Sequence, residues 1–95
     1  MEKKNTAPSE EKRSITINGT SYPLVITMGA FLEFYRLTGR EATEIKSESL
    51  SDTLIFLHCI LKAGQKREGY TYTYETADEL ASSLTPEEMQ GIKLG

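Results

Sequence analysis

The chain has 95 residues, a formal net charge of −3 and a composition that is 38% hydrophobic and 26% charged. This length allows one small hydrophobic core, and the hydrophobic share is too high for a wholly disordered protein. The only cysteine, Cys59, excludes an intramolecular disulfide, and the only histidine, His58, excludes a zinc-folded module. We therefore expect a single globular domain that binds neither metal nor cofactor.

Charge and hydropathy exclude two further classes. Residues 75–95 carry five acidic side chains and one basic side chain, and an acidic surface repels phosphate backbones, so we expect no nucleic-acid binding. Residues 14–32 are uncharged, but they contain proline, glycine and several hydroxyl side chains. This pattern does not match a membrane-spanning helix, and we expect no membrane association.

The N-terminal segment is polar and charged, with no large apolar residue after Met1. Such a composition predicts a disordered tail over residues 1–13, followed by a single α+β domain over residues 14–95. The basic start is not followed by the apolar stretch of a signal peptide, so we expect a cytoplasmic protein.

Asn18-Gly19 is the strongest local signal in the chain. This dipeptide is the preferred two-residue loop of a β-hairpin, because both positions tolerate positive φ. Pairing about the loop places Ile17 opposite Thr20 and Ile15 opposite Tyr22. One face of the hairpin then carries the large apolar side chains, and we expect that face to be buried. Its members are Ile15, Ile17, Tyr22, Leu24 and Ile26.

A first helix is predicted over residues 28–38, with Thr27 as its N-cap and Gly39 as its stop. Four of its apolar residues follow the 0, 3, 4, 7 spacing of a buried stripe, and Phe34 and Leu37 widen that stripe. We expect this stripe to pack on the hairpin and on a second helix. The four residues are Met28, Phe31, Leu32 and Tyr35.

A second helix is predicted to begin at Ser49 or Ser51 and to end at Lys62 or Ala63, with Gly64 as its stop. A short turn is expected before it, around residues 42–45. The second helix is apolar around nearly its whole circumference, which is typical of a helix buried on several sides. Two interpretations stay open at equal weight: a central core helix, or a helix with one face covered by another chain.

Tyr70-Thr-Tyr-Thr-Tyr74 has a period of two, which predicts an extended segment with its tyrosines on one face. We favour a short strand or a cover over the core, and an aromatic contact surface is the alternative. Two capping boxes follow, beginning at Thr76 and Thr85, and predict two short helices. The expected fold is therefore α+β, with an N-terminal β-hairpin packed on a small bundle of three to four helices.

The sequence offers no convincing catalytic group. The spacing of Gly64 and Gly69 matches a phosphate loop, but Tyr70-Thr71 stands where that loop needs lysine and serine or threonine. His58 and Cys59 are adjacent, so on a helix their side chains point about 100° apart and cannot act as a base and nucleophile pair. We expect a buried thiol, a partly buried imidazole and no enzymatic activity.

The order of these elements resembles a known family. An Asn-Gly hairpin is followed by Tyr22-Pro-Leu-Val-Ile-Thr-Met-Gly-Ala-Phe-Leu-Glu-Phe-Tyr-Arg-Leu-Thr-Gly39, a hydrophobic helix and a terminal helix opened by Thr-Pro-Glu-Glu. Over residues 14–92 this arrangement is similar to the small tail assembly chaperones of long-tailed bacteriophages and prophages. The resemblance implies a non-enzymatic protein of the bacterial cytoplasm that binds the tape-measure protein, and tail-tube subunits as a second partner.

A chaperone of this kind needs exposed apolar or aromatic surface. We expect five residues to form a client surface or, alternatively, a homo-oligomer seam. The runner-up function is a small adaptor or regulatory module encoded on a mobile element, which binds one folded partner. The five residues are Phe34, Leu57, Ile60, Tyr70 and Tyr72.

Overall fold

A computed structural model describes residues 13–90, so the predicted tail up to residue 12 and the last five residues lie outside the described part. Within these described residues, a two-stranded antiparallel hairpin precedes four α-helices and one short 3-10 helix, which confirms the α+β prediction. The elements are β1 (Ser14–Ile17), β2 (Thr20–Pro23), α1 (Met28–Thr38), the 3-10 helix (Ala42–Glu44), α2 (Leu50–Glu68), α3 (Ala77–Ser82) and α4 (Pro86–Gln90).

The hairpin has the predicted register, with Ile17 paired to Thr20 and Ile15 to Tyr22. Asn18 and Gly19 have φ values of 52° and 86°, which is the left-handed backbone that the two-residue loop requires. The two isoleucines and Tyr22 are buried, as expected. The prediction that Ile26 continues this buried face is wrong, because β2 ends at Pro23 and Ile26 is exposed.

Helix α1 begins and ends where its cap residues predict. The hydroxyl oxygen of Thr27 accepts a hydrogen bond from the Ala30 N–H at 3.3 Å. At the other end, Gly39 has a φ of 76° and donates its N–H to the Tyr35 carbonyl at 2.8 Å. A residue with a β-carbon would be strained in this conformation, which explains why the helix stops at a glycine.

The buried side of α1 differs from the predicted stripe. The helix buries Ala30 and Phe34, whereas Met28, Leu32 and Tyr35 are exposed. Small residues explain which side of α1 is buried. A β-carbon on Gly29 would lie only 3.4 Å from the β-carbon of Ala63 on α2. The two helices therefore approach closely along the side of α1 that carries small residues and Phe34, and this turns the larger apolar residues outward.

Helix α2 begins as predicted, with the Ser49 hydroxyl accepting from the Asp52 N–H at 3.4 Å. The predicted stop at Gly64 is wrong, because the helix continues to Glu68 and ends at Gly69, whose φ is 77°. Gly64 instead provides room for packing: a β-carbon there would lie 2.9 Å from the Tyr70 hydroxyl oxygen. That hydroxyl donates to the Leu61 carbonyl at 2.6 Å, so the tyrosine folds back over the helix.

Helix α2 is the central element of the described chain, which favours the first of the two interpretations left open by the sequence. One side of α2 joins the hairpin and α3 in a cluster of seven buried residues, and another side joins α1 in a second cluster. The first cluster contains Ile15, Ile17, Tyr22, Leu57, Leu61, Tyr72 and Leu80. The second contains Ala30, Phe34, Ala42, Phe56, Cys59 and Ile60.

Both predicted N-caps are present, and the second forms a complete capping box, whereas at α3 the Glu79 carboxylate accepts from the Glu75 N–H instead of the Thr76 N–H. The Thr76 hydroxyl accepts from the Glu79 N–H at 3.1 Å at the start of α3. At α4 the bonds are reciprocal, since the Thr85 hydroxyl accepts from the Glu88 N–H at 3.3 Å and the Glu88 carboxylate accepts from the Thr85 N–H at 2.9 Å. These bonds satisfy backbone donors that a helix start otherwise leaves unpaired.

An ion pair that the sequence did not predict joins the segment after α1 to the first turn of α2. The two terminal nitrogens of the Arg40 guanidinium donate to the two carboxylate oxygens of Asp52 at 2.9 and 2.7 Å. The bond from Arg40 keeps the pKa of the Asp52 carboxyl below its ordinary value. Arg40 also lies 5.7 Å from the centre of the Phe34 ring, so it covers this core residue.

Candidate protein-binding surfaces

The five residues expected to form a contact surface do not form one. Phe34, Leu57 and Ile60 are fully buried, and Tyr72 is only 6% exposed. Tyr70 is half-buried. Four of the five are therefore core residues, because they pack against neighbours within the same chain.

Aromatic packing accounts for the burial of Phe34. Its ring meets the Phe56 ring edge-on, with centroids 5.7 Å apart. Phe31 stacks on the same Phe56 ring at 5.6 Å. These rings fill the space between α1 and α2, so Phe34 stabilises the helix pair and is inaccessible to a client.

The tyrosine segment covers the core, as the favoured interpretation predicted. The Tyr22 ring of the hairpin lies 5.8 Å from the ring centroids of both Tyr70 and Tyr72, and both pairs are edge-to-face. The structure assigns no strand to this segment, but burial alternates, since the intervening Thr71 and Thr73 are exposed. Burial raises the pKa of the Tyr70 hydroxyl to about 12.

The exposed apolar surface of α1 is the first candidate binding surface. Met28 is 76% exposed, Leu32 51% and Tyr35 48%. Residues four and seven positions apart on a helix lie on one side, so the three side chains form a continuous strip, which we call the α1 apolar face. The sequence pattern predicts these residues as part of a buried stripe, and this prediction is wrong for all three.

A second candidate surface is an open groove between the start of α2 and helices α3 and α4. Its volume is about 470 Å³, which lies in the usual range of binding clefts. Leu50, at the first position of α2, is 61% exposed at this site. The apolar lining consists of Leu50, Leu54, Ala81, Leu84, Pro86 and Met89.

His58 lies beneath a smaller cleft of about 270 Å³. The side chain is 2% exposed, and its Nδ1 lies 2.8 Å from the Tyr72 hydroxyl. Burial, reinforced by the positive charge of Lys62, lowers the pKa of the imidazole, while Glu33 and Glu79 act in the opposite direction. His58 is therefore neutral in the folded protein near neutral pH, which fits a structural hydrogen bond to Tyr72.

A pH-dependent loss of stability should follow from this environment. The unfolded chain binds a proton at His58 near its ordinary pKa of about 6.5, whereas the folded chain binds it only at lower pH. The free energy of unfolding should therefore fall as the pH drops from about 7 to about 5. Thermal unfolding across this range measures the effect.

A variant without the imidazole tests whether His58 causes this pH dependence of stability. His58 is the only histidine in the chain, and the Asp52 carboxyl loses its contribution only below about pH 3.9. A His58→Gln variant should therefore show a melting temperature that is nearly flat between pH 7 and pH 5. An unchanged slope in this variant would contradict the assignment.

Cys59 should be unreactive in the folded state. The side chain is fully buried in the cluster shared by α1 and α2. Burial raises the pKa of the thiol to about 12, so almost none of the reactive thiolate is present. We expect a thiol reagent to modify Cys59 completely in guanidinium chloride and negligibly in native buffer. Rapid native labelling would contradict the burial.

Within residues 13–90, no cluster of three or more His, Cys, Asp or Glu side chains is arranged to hold a metal ion. In the same part of the chain, no helix combines the length and hydrophobicity needed to cross a membrane. Comparison with protein-family models, curated proteins and solved structures found no match.

Proposed function

We propose that this protein is a non-enzymatic binding module that holds a helical segment of a partner protein on the α1 apolar face. The observation that carries the proposal is the exposure of Met28, Leu32 and Tyr35 on one side of a capped helix. Large contiguous apolar patches on the surface of a monomer often mark a site that binds another molecule.

The spacing of the three side chains supports a helical partner. Anchors at positions i, i+4 and i+7 are the pattern by which one helix packs along another. A strip of only three partly exposed residues buries a modest apolar area, and association also costs translational and side-chain freedom. Binding should therefore be weak and reversible at each contact, which suits a protein that must release its partner.

The resemblance of residues 14–92 to tail assembly chaperones supports a specific partner. On this proposal, the client is the long helical tape-measure protein of a phage or prophage tail, and tail-tube subunits are a second candidate. The chaperone would cover apolar segments of the client in the bacterial cytoplasm until the tail tube assembles. A homo-oligomer that uses the same α1 apolar face is the competing arrangement.

Co-expression with the long helical protein encoded next to this gene tests the proposal. We expect the client to be soluble only when the chaperone is present, and the two to elute together in a pull-down followed by size-exclusion chromatography. The chain should also be run alone at matched concentration, to show whether it forms the competing homo-oligomer. A client whose solubility is unchanged, together with one specific folded partner, would favour the adaptor function instead.

A further inference from the structure

The groove between α2, α3 and α4 is separate from the α1 apolar face, because the two surfaces share no residue. Leu84 and Met89 pack on the hairpin cluster with part of their surface and line the groove with another part. Leu50 and Leu54 form the opposite wall. The groove is therefore largely apolar, and its α3–α4 side is anchored to the core through Leu84 and Met89.

The charged side chains at the edge of this groove are mostly acidic. On α4, Glu87 and Glu88 follow the groove-lining Pro86, and the Glu88 carboxylate accepts a hydrogen bond from the N–H of Thr85, another lining residue, at 2.9 Å. Glu48 lines the groove from the side of α2. Lys46 is the one basic residue between Glu41 and Asp52. Acidic side chains at the edge of an apolar groove create a negative electrostatic potential over its opening.

We propose that this groove binds the apolar face of a basic amphipathic helix in a partner protein. Apolar side chains of that helix would fill the groove between Leu50 and Met89. Its lysines or arginines would lie beside Glu48 and the acidic residues of α4, where opposite charges attract. Acidic helices and phosphate backbones would be repelled. The inference goes beyond the proposed function, since it assigns a second surface and the charge of what binds there.

Two synthetic peptides test the charge preference on the full chain. Both are amphipathic helices of about five turns with the same leucine face, and the polar face carries lysine in one and glutamate in the other. Fluorescence anisotropy should show that the lysine peptide binds at least about tenfold more tightly, and that added salt weakens its binding. Equal affinity for the two peptides, or no binding of either, would overturn the proposal.

Variants with matched controls locate the binding surface. Leu50→Lys and Glu48→Lys should each reduce the affinity for the lysine peptide, the first by about tenfold or more. Leu37→Lys and Glu41→Lys introduce the same changes at exposed positions outside the groove, and they should leave the affinity unchanged. Circular dichroism checks that all four variants fold.

The outcome also separates this inference from the proposed function. Leu32→Lys disrupts the α1 apolar face without touching the groove. If Leu32→Lys abolishes peptide binding and Leu50→Lys does not, the groove assignment is wrong and the α1 apolar face is the binding surface. If Leu50→Lys alone abolishes it, the groove binds the peptide whether or not the α1 apolar face binds a tail protein.

Discussion

Replacing Phe34 by alanine should lower the free energy of unfolding by about 3–5 kcal/mol, the usual cost of removing a buried phenylalanine ring. The ring is fully buried, packs edge-on against Phe56 and is covered by the Arg40 guanidinium. Alanine would leave a cavity between α1 and α2. Because small domains are often stable by only about 5–15 kcal/mol, much of the protein's stability would be lost. Chemical denaturation with guanidinium chloride measures the change.

Leu32→Ala is the matched control for Phe34→Ala. It removes a large apolar side chain from the same helix, but that side chain is half exposed. Surface substitutions usually change stability by less than about 0.5 kcal/mol, so the two variants should differ severalfold. Similar losses of stability in both variants would contradict the assignment of Phe34 to the core and Leu32 to the surface.

The double variant Met28→Asp with Leu32→Asp should abolish capture of the helical client while the fold stays intact. Both side chains are exposed on the α1 apolar face. Two carboxylates would make docking an apolar helix require burial of unpaired charge, which is strongly unfavourable. We expect a loss in affinity of about 30-fold or more, as for the loss of a central contact residue. Pull-down from the co-expressing cells, with titration of the purified proteins, measures it.

Leu37→Asp provides the control for this double variant. Leu37 is 54% exposed on the same helix, but nine residues from Met28 it lies about 180° around the helix axis. Its substitution should leave client capture unchanged. Equal loss of capture from Leu37→Asp, or normal capture by the double variant, would contradict the role of the α1 apolar face.

Local chemistry explains which parts of the fold the sequence predicted. The hairpin register follows from Asn18-Gly19, because the loop conformation and the alternation of buried residues agree. The bounds of α1 follow from Thr27 and Gly39, each of which acts through its own backbone and near neighbours. Such signals do not depend on distant parts of the chain, so pattern analysis recovers them.

The candidate surface was missed because its position depends on tertiary packing. Helix α1 is apolar on most sides, so periodicity does not determine which side meets α2. The close approach at Gly29 and the packing of the Phe31 and Phe34 rings on Phe56 determine which side it is. The end of α2 was misplaced for a related reason: Gly64 leaves space for the Tyr70 hydroxyl, a contact that its sequence neighbours do not reveal.

Site-specific photo-cross-linking tests the central claim most directly. A benzophenone side chain is placed at position 32 on the α1 apolar face or, as the control, at position 37, and the complex with the long helical client is irradiated. We predict a covalent adduct with the client from position 32 and none from position 37. A complex that forms but cross-links only from position 37, or from neither position, would show that the partner binds elsewhere on the protein.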